Sequence, residues 1–465
     1  MNAPGKKHIV MLLCMLILIS TGLGIGVQRS VLALDAVEDS MKTLKVLIHI
    51  LVKIQDNYVN PDKVSTDSLI KGAIHGMVGT LDRYSVFMEP DDAKEFSDQT
   101  QGSFGGLGIQ IDVVDGWLTV IEPLPGTPAA QAGLMSGDKI VEIDGENTKG
   151  LSIYKAIKML KGDPDTTVIL TIARRSETEL REVTLTRAII KTNAVAQNEK
   201  RMLDKSIGYI RLRDFTRDAA DELEDAVREL EKQGMQGLIL DLRDNVGGLL
   251  DVAVRICGLF IDKGQKIVSH RDRDNYEKVY YAETAPIGHF QMAVLVNEFS
   301  ASASEIVAGC IQDHKRGILV GPEGHRTFGK GSVQTLYELK DMPGMEGASL
   351  KLTTAKYFTP LGRSIEDEKG LAPDIYAQVT DDQRHDIRVA GKIGYIPPSM
   401  LGAPTVESAT DTVQAKNPTS VAEVFSNQEE TDAKAQPEDL YDIELLTAYQ
   451  CLKGIMLLQT SGGAQ

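Results

Sequence analysis

The chain has 465 residues, is 42% hydrophobic and 25% charged, and carries a formal net charge of −16. That length predicts about three domains, and the composition is that of a globular protein with sizeable cores. The acidic balance and the lack of any Lys/Arg stripe exclude a nucleic-acid partner, because phosphate binding needs clustered cations.

Lys6 and Lys7 precede an apolar run over 9–19 and a Gly-containing stretch over 21–27. A basic region followed by a short apolar one is the pattern of a secretory signal, and Val31-Leu32-Ala33 allows cleavage after Ala33. The run is short for a full span of about 20 residues, although 22–27 extend it. Residues 1–33 are expected to be a signal peptide or an inner-membrane anchor, with the bulk of the chain periplasmic or otherwise extracytoplasmic. Cys14 falls in that segment. Cys257, Cys310 and Cys451 show no CxxC pair and no disulfide or metal spacing, and Cys257 and Cys310, in apolar helical stretches, read as small buried hydrophobes.

Over 35–60, Leu44, Leu47, Leu51, Ile54 and Tyr58 share one helical face. Such a stripe needs cover, from a second protomer or from the chain's own core. Asn60-Pro61-Asp62 breaks this helix and another is predicted over 68–80. From Gly102 the texture changes to short strands. Residues 108–114 and 117–121 flank an Asp115-Gly116 turn, Thr127-Pro128 opens a short helix, and 139–143, 167–173 and 181–187 read as strands around a helix at 152–160. An α/β region follows, with strands at 207–212, 237–242, 292–296, 317–320, 332–338 and 350–358. Its helices are predicted at 218–232, 249–260 and 301–313. The expected domains are a helical region 34–100, a β-rich unit 101–190, an α/β core 191–395, a solvated linker 396–438 and a C-terminal helix 439–465.

Three segments carry chemistry. In Val294-Leu295-Val296-Asn297-Glu298-Phe299-Ser300-Ala301-Ser302-Ala303-Ser304-Glu305 a buried strand runs into a small-residue turn and a helix. Free N–H groups at a helix start suit a nucleophilic serine beside an oxyanion hole; an ordinary Ser-rich N-cap is the alternative. In Thr327-Phe328-Gly329-Lys330-Gly331-Ser332-Val333-Gln334 a lysine stands between glycines. A lysine base must be neutral, so burial has to lower its pKa from about 10.4. A Walker phosphate loop fails here, because Gly331 rather than Ser or Thr follows Lys330. Asp241-Leu242-Arg243-Asp244-Asn245-Val246-Gly247-Gly248 ends a buried strand in two glycines, either to face a ligand or to make a tight turn.

Taken together, these segments resemble the carboxy-terminal processing (tail-specific) proteases over roughly 40–380. That resemblance implies Ser302 as nucleophile, Lys330 as base and Gln334 orienting it. The backbone N–H of Ala303 and of Gly247 or Gly248 would form the oxyanion hole, and Asp313 would be structural or supporting. Two departures stand out: Val246 replaces the family's proline, and 321–326 reads as a lengthened loop. The unit 101–190 resembles the family's PDZ domain, in which Gly106, Leu107, Gly108 and Ile109 bind a peptide carboxylate through backbone N–H groups. Leu81-Asp82-Arg83-Tyr84-Ser85 falls in a stretch similar to the helical region ahead of that domain.

The fold implied is multidomain α/β (α+β): an N-terminal helical region, a PDZ-like β-rich domain inserted before an α/β serine-protease core, and a helical C-terminal tail. The partners implied are peptide substrates with free C-termini, a second copy through the N- and C-terminal helices, and an activating adaptor. Neither metal nor cofactor is expected, since His-Glu-x-x-His and Cys/His clusters are missing. A Ser/His/Asp hydrolase would need His314 or His325 and lacks a Gly-x-Ser-x-Gly elbow. A non-catalytic PDZ adaptor would have no use for Ser302, Lys330 and Gln334.

Overall fold

The computed structural model describes residues 41–114, 116–401 and 440–462. The expected signal segment 1–33 and nearly all of the expected linker lie outside the described residues. The chain divides into two compact units, 1–87 with 340–346, and 88–339 with 347–465.

In the first unit, residues 41–57 form helix α1 and Thr66–Gly79 form α2. Asn60 and Ser65 cap the turns between them through side-chain oxygens that accept from Asp62 and Ser68 N–H. Leu44, Leu47, Ile50 and Ile54 remain 37–52% exposed. The apolar stripe is therefore only partly covered among the described residues.

The second unit opens with α3 (Pro90–Gln101), a polar helix that sequence periodicity does not reveal. Strand β1 (Ser103–Gly106) pairs antiparallel with β7 (Ala188–Lys191). Between them, β2 (Ile109–Val114), β3 (Trp117–Pro123), β4 (Lys139–Ile143), β5 (Thr167–Ala173) and β6 (Arg181–Thr186) form one sheet in that order. Helix α4 (Ile153–Leu160) packs Ala156 and Leu160 into the same core as Leu118, Ile140, Leu170 and Ile172. Alternate residues of β5 (Val168, Leu170, Ile172) point inward, which is the period of two expected of a half-buried strand.

The larger core is built on β8 (Lys200–Met202), β9 (Ile207–Arg211), β10 (Gly237–Asp241), β13 (Gln291–Leu295), β14 (Ile318–Pro322) and β17 (Ile375–Ala377), in that spatial order. All neighbours except β8 and β9 run parallel. Helices α5 (Ala219–Lys232), α6 (Leu250–Gly258) and α7 (Ala303–Asp313) share one core with Ile210, Leu238, Leu240 and Val294. The opposite face, with Ile207, Tyr209, Ile239, Ala293 and Leu295, is covered by α9 (Ile443–Gly462) through Leu445, Ala448, Tyr449 and Leu452. Burial on both faces explains why these strands read as continuous apolar runs. Buried Arg243 fastens α9 as well, donating to Asp241, Asp442 and Glu444 at 2.5–2.9 Å.

A second sheet orders β15 (Ser332–Glu338), β16 (Ser349–Phe358), β11 (Lys266–Asp272) and β12 (Glu277–Tyr281). Strand β14 reaches Pro322, because Gly321 and Pro322 pair with Tyr376 and Ala377. The expectation that 321–326 is all loop is thus corrected: its first two residues are strand. Strands β11, β12 and β17 and helix α8 (Asp381–Val389) went unread, since their mixed polar and apolar residues carry no clean apolar period.

Candidate active site

The parallel register aligns the C-terminal ends of β10 and β13, with Asp241 opposite Leu295. The turns that leave them, 242–248 and 296–302, meet at the edge where open α/β sheets bind ligands. Asn245 knits the two together. Its carbonyl accepts from Ala301 N–H at 3.0 Å and Ser304 Oγ at 2.8 Å, and its amide donates to Leu212 O at 2.8 Å. Asn297 ties back from the other side, accepting from Asp244 N–H and donating to Asp244 Oδ1, both at 3.0 Å.

Ser302 caps α7 with φ 57° and ψ −113°. Backbone of this kind costs roughly 1–3 kcal/mol and must be held by its surroundings. Glu305 does the holding. Its buried carboxylate accepts from Ser302 N–H (2.9 Å), Lys330 N–H (2.9 Å), Gly329 N–H (2.7 Å) and Thr327 Oγ1 (2.6 Å). Burial raises its pKa in spite of these four donors. One side chain thus welds the serine turn to the lysine loop. In the sequence alone Glu305 is marked only by the Ser302-x-x-Glu305 capping-box spacing, which does not reveal its hold on the lysine loop.

Gly247 has φ +98°, and a Cβ there would lie 2.7 Å from Ala301 O and 2.9 Å from Ala303 N. Only glycine permits that approach. Its N–H donates to Asn245 Oδ1 at 2.9 Å, so this amide is engaged. Among the described residues, the N–H groups of Gly248 and Ala303 have no intramolecular acceptor. Of the expected pair Gly247 or Gly248, it is therefore Gly248 whose amide stays available. Val246 is 70% exposed and lines the cleft.

Lys330 is half-buried. Burial pushes its ammonium pKa down, the Lys351 charge lowers it further, and Glu305 raises it. The Gln334 amide nitrogen donates to Ser332 Oγ at 2.9 Å and Thr353 Oγ1 at 3.3 Å. Asp313 lies at the other end of α7, about 15 Å along the helix from Ser302. There its carboxylate accepts from Arg363 (2.5 Å) and Leu361 N–H (2.9 Å), holding the loop after β16. The histidines are placed elsewhere: His314 Nε2 meets Lys266 O at 2.7 Å, and His325 lies beside Glu298 and Asp381. Among the described residues no cluster of His, Cys, Asp and Glu is arranged to hold a metal.

Ser302, Lys330, Gln334, Gly247 and Gly248 all line one cleft of 1630 Å³, whose other wall is the β-rich domain, including Phe104, Gly105, Thr127 and Tyr154. The loop 106–109 itself is not part of that lining. Gly106 ends the β1/β7 ladder opposite Ala188. The carbonyls of Leu107 and Gly108 accept from Ala129 and Leu124 N–H at 3.0 and 2.8 Å, while the N–H groups of both residues have no described acceptor. Gly108 has φ +72°, and a Cβ there would meet Thr127 at 2.4 Å. Ile109 begins β2.

The chain is similar to known proteins at the level of its domains and family. A model of peptidase family S41 matches residues 206–377, a PDZ-domain model matches 119–174, and a model of the activating protease CtpB N-terminal domain matches 28–92. A carboxy-terminal-processing protease of Bartonella bacilliformis is 37% identical over 350 residues, covering 73% of this chain and 76% of that one. The carboxy-terminal processing protease CtpB of Bacillus subtilis is 34% identical over 329 residues, 70% of this chain and 66% of the relative. Among solved structures, a photosystem II D1 C-terminal processing protease is 30% identical, covers 71% of this chain and 92% of its own, and superposes with a TM-score of 0.42.

Proposed function

The chain belongs to the carboxy-terminal processing proteases and is a serine-type peptidase with a PDZ domain, and on that premise we propose that it works outside the cytoplasm as a Ser-Lys endopeptidase guided by substrate C-termini. Ser302 Oγ attacks the scissile carbonyl while neutral Lys330 takes its proton. Ala303 and Gly248 N–H groups receive the oxyanion. Lys330 returns the proton to the leaving amine, and water then resolves the acyl-enzyme by the same route. Gln334 stands on the strand next to this exchange and Asp313 supports it from the far end of α7. The observation that carries the reading is a desolvated lysine and a strained helix-capping serine tied to one buried carboxylate in one cleft.

Lysine must lose its proton to act, so activity should rise with pH through the lowered Lys330 pKa. Lys351→Gln removes a repelling charge, raises that pKa and moves the acid limb of kcat/KM to higher pH. An acid limb that stays in place would leave Lys330 without its role as base.

The N–H groups of Leu107 and Gly108 support capture of a free carboxylate, with the tail then extended along the cleft. A peptide ending in an apolar residue should be cut roughly tenfold faster, in kcat/KM, than its C-terminal amide, about 1.4 kcal/mol of binding. Equal rates would remove the tail from the recognition step. Export rests on the basic and apolar segment within 1–33; among the described residues no helix is long and apolar enough to cross a membrane. The half-exposed apolar stripe on α1 supports a second copy or an adaptor as partner.

A further inference from the structure

Resting on the function proposed for the Ser302 cleft, we propose that Lys351 is a specificity residue whose ammonium receives an acidic side chain of the substrate. Lys351 lies on β16 and lines the cleft together with Ser302, Lys330 and Gln334. The strand register sets which way it faces. Thr353 stands opposite Gln334 and Lys351 opposite Leu336, and opposed residues share a face of the sheet. The Gln334 amide meets Thr353 Oγ1 at 3.3 Å on that face, so Lys351, two residues along, emerges on it too. There its ammonium sits 4.8 Å from the centre of the Phe96 ring, which α3 supplies. A cation on an aromatic face is held in place without being neutralised.

What this ammonium lacks is an anion. Of the other cations on the cleft wall, Lys94 pairs with Asp163, Lys161 with Glu95, Lys191 with Asp218 and Arg213 with Glu199. Lys158 is exposed, where water solvates it. Lys351 is half-buried, and among the described residues no carboxylate pairs with it or acts against the lowering of its pKa by burial. The chain has 66 acidic residues against 50 basic ones, so the vacancy is not for want of carboxylates. A charge drawn out of water is costly until it meets a partner, and in a binding cleft the substrate can bring one. The chemistry of that partner is a carboxylate, joined through a charge-assisted hydrogen bond. The substrate's terminus is taken by the N–H groups of Leu107 and Gly108, so the carboxylate at Lys351 belongs to an Asp or Glu side chain. Leu336, opposite Lys351, lies about six strand residues from Lys330, or about 20 Å. The acidic residue therefore falls within about six extended residues of the scissile bond.

The test is cleavage, by the full chain, of fluorogenic peptides carrying Glu or Gln at each of about six positions on either side of the scissile bond. Each Glu/Gln pair is compared as a ratio of kcat/KM. Both members then refer to the same free enzyme, and the effect of residue 351 on Lys330 cancels. In the wild type one position should favour Glu by about tenfold. Lys351→Gln should bring that ratio to about one. Lys351→Glu should replace it with a preference for Lys over Gln at the same position, a gain that misfolding cannot produce. The wild-type preference should persist when the peptide's C-terminus is amidated. A wild-type ratio near one at every position overturns the inference, and so does a ratio that either variant leaves in place. A ratio lost on amidation assigns Lys351 to the chain terminus and overturns it as well. Binding of the same peptides to Ser302→Ala, followed by fluorescence anisotropy, gives the ratio without turnover. Cleavage by Ser302→Ala would sink the nucleophile reading, while the binding ratio still decides the role of Lys351.

Discussion

Ser302→Ala is expected to lose cleavage by a factor on the order of 10⁴ to 10⁶ in kcat while folding as the wild type does. The main-chain bonds that hold position 302 run from Ala301 N–H to Asn245, from Ser302 N–H to Glu305 and from Ile306 N–H to Ser302 O, and none involves Oγ. Neither of the histidines nearest in sequence to the site stands ready to substitute as a base, because His314 and His325 are engaged at other places. Lys330→Met should therefore be about as inactive as the serine variant. Comparing protein C-termini in cells that carry wild type or Ser302→Ala would identify the substrates. Tails lengthened in the variant should belong to extracytoplasmic proteins. A purified Ser302→Ala chain that still trims an unstructured polypeptide would end the proposed mechanism, and a set of purely cytoplasmic substrates would end the proposed location.

Arg243→Leu should destabilise the core by about 3–5 kcal/mol, read as a fall in the urea midpoint of the second unit's transition. Arg243 holds three carboxylates, those of Asp241, Asp442 and Glu444, in a site where all four residues are nearly fully buried. Its guanidinium is held well above its ordinary pKa by that acidic company, against the cost of burial. Removing it leaves like charges facing one another without solvent. Two consequences should follow together: α9 loosens from the sheet, and the turn 242–248 beside Ser302 loses its anchor. Limited proteolysis within 440–446 and a reduced kcat report the two. A variant as stable as wild type would show that Leu445, Ala448, Tyr449 and Leu452 hold the helix without the ion network.

Much of this was legible before any fold was known. Continuous apolar runs marked the parallel strands, because both sheet faces are covered, and the 3.6-residue period marked α5. The polar helix α3 and the hairpin β11/β12 escaped, since neither buries a clean stripe; their placement comes from neighbours rather than from their own pattern.

The local chemistry of Ser302, Lys330 between glycines and the Gly247-Gly248 turn was determined by the sequence alone, because each depends on backbone freedom and side-chain type within a few residues. What only the tertiary structure decided is which groups meet. Burial beside Lys351 lowers the Lys330 pKa, though the two residues are far apart in the chain. Glu305 acquires its role because a loop more than twenty residues on delivers two N–H groups and a hydroxyl to it. Between the two glycines, a hydrogen bond to Asn245 chooses. These are long-range contacts, set by how β10, β13 and the second sheet converge, and no local pattern encodes that convergence.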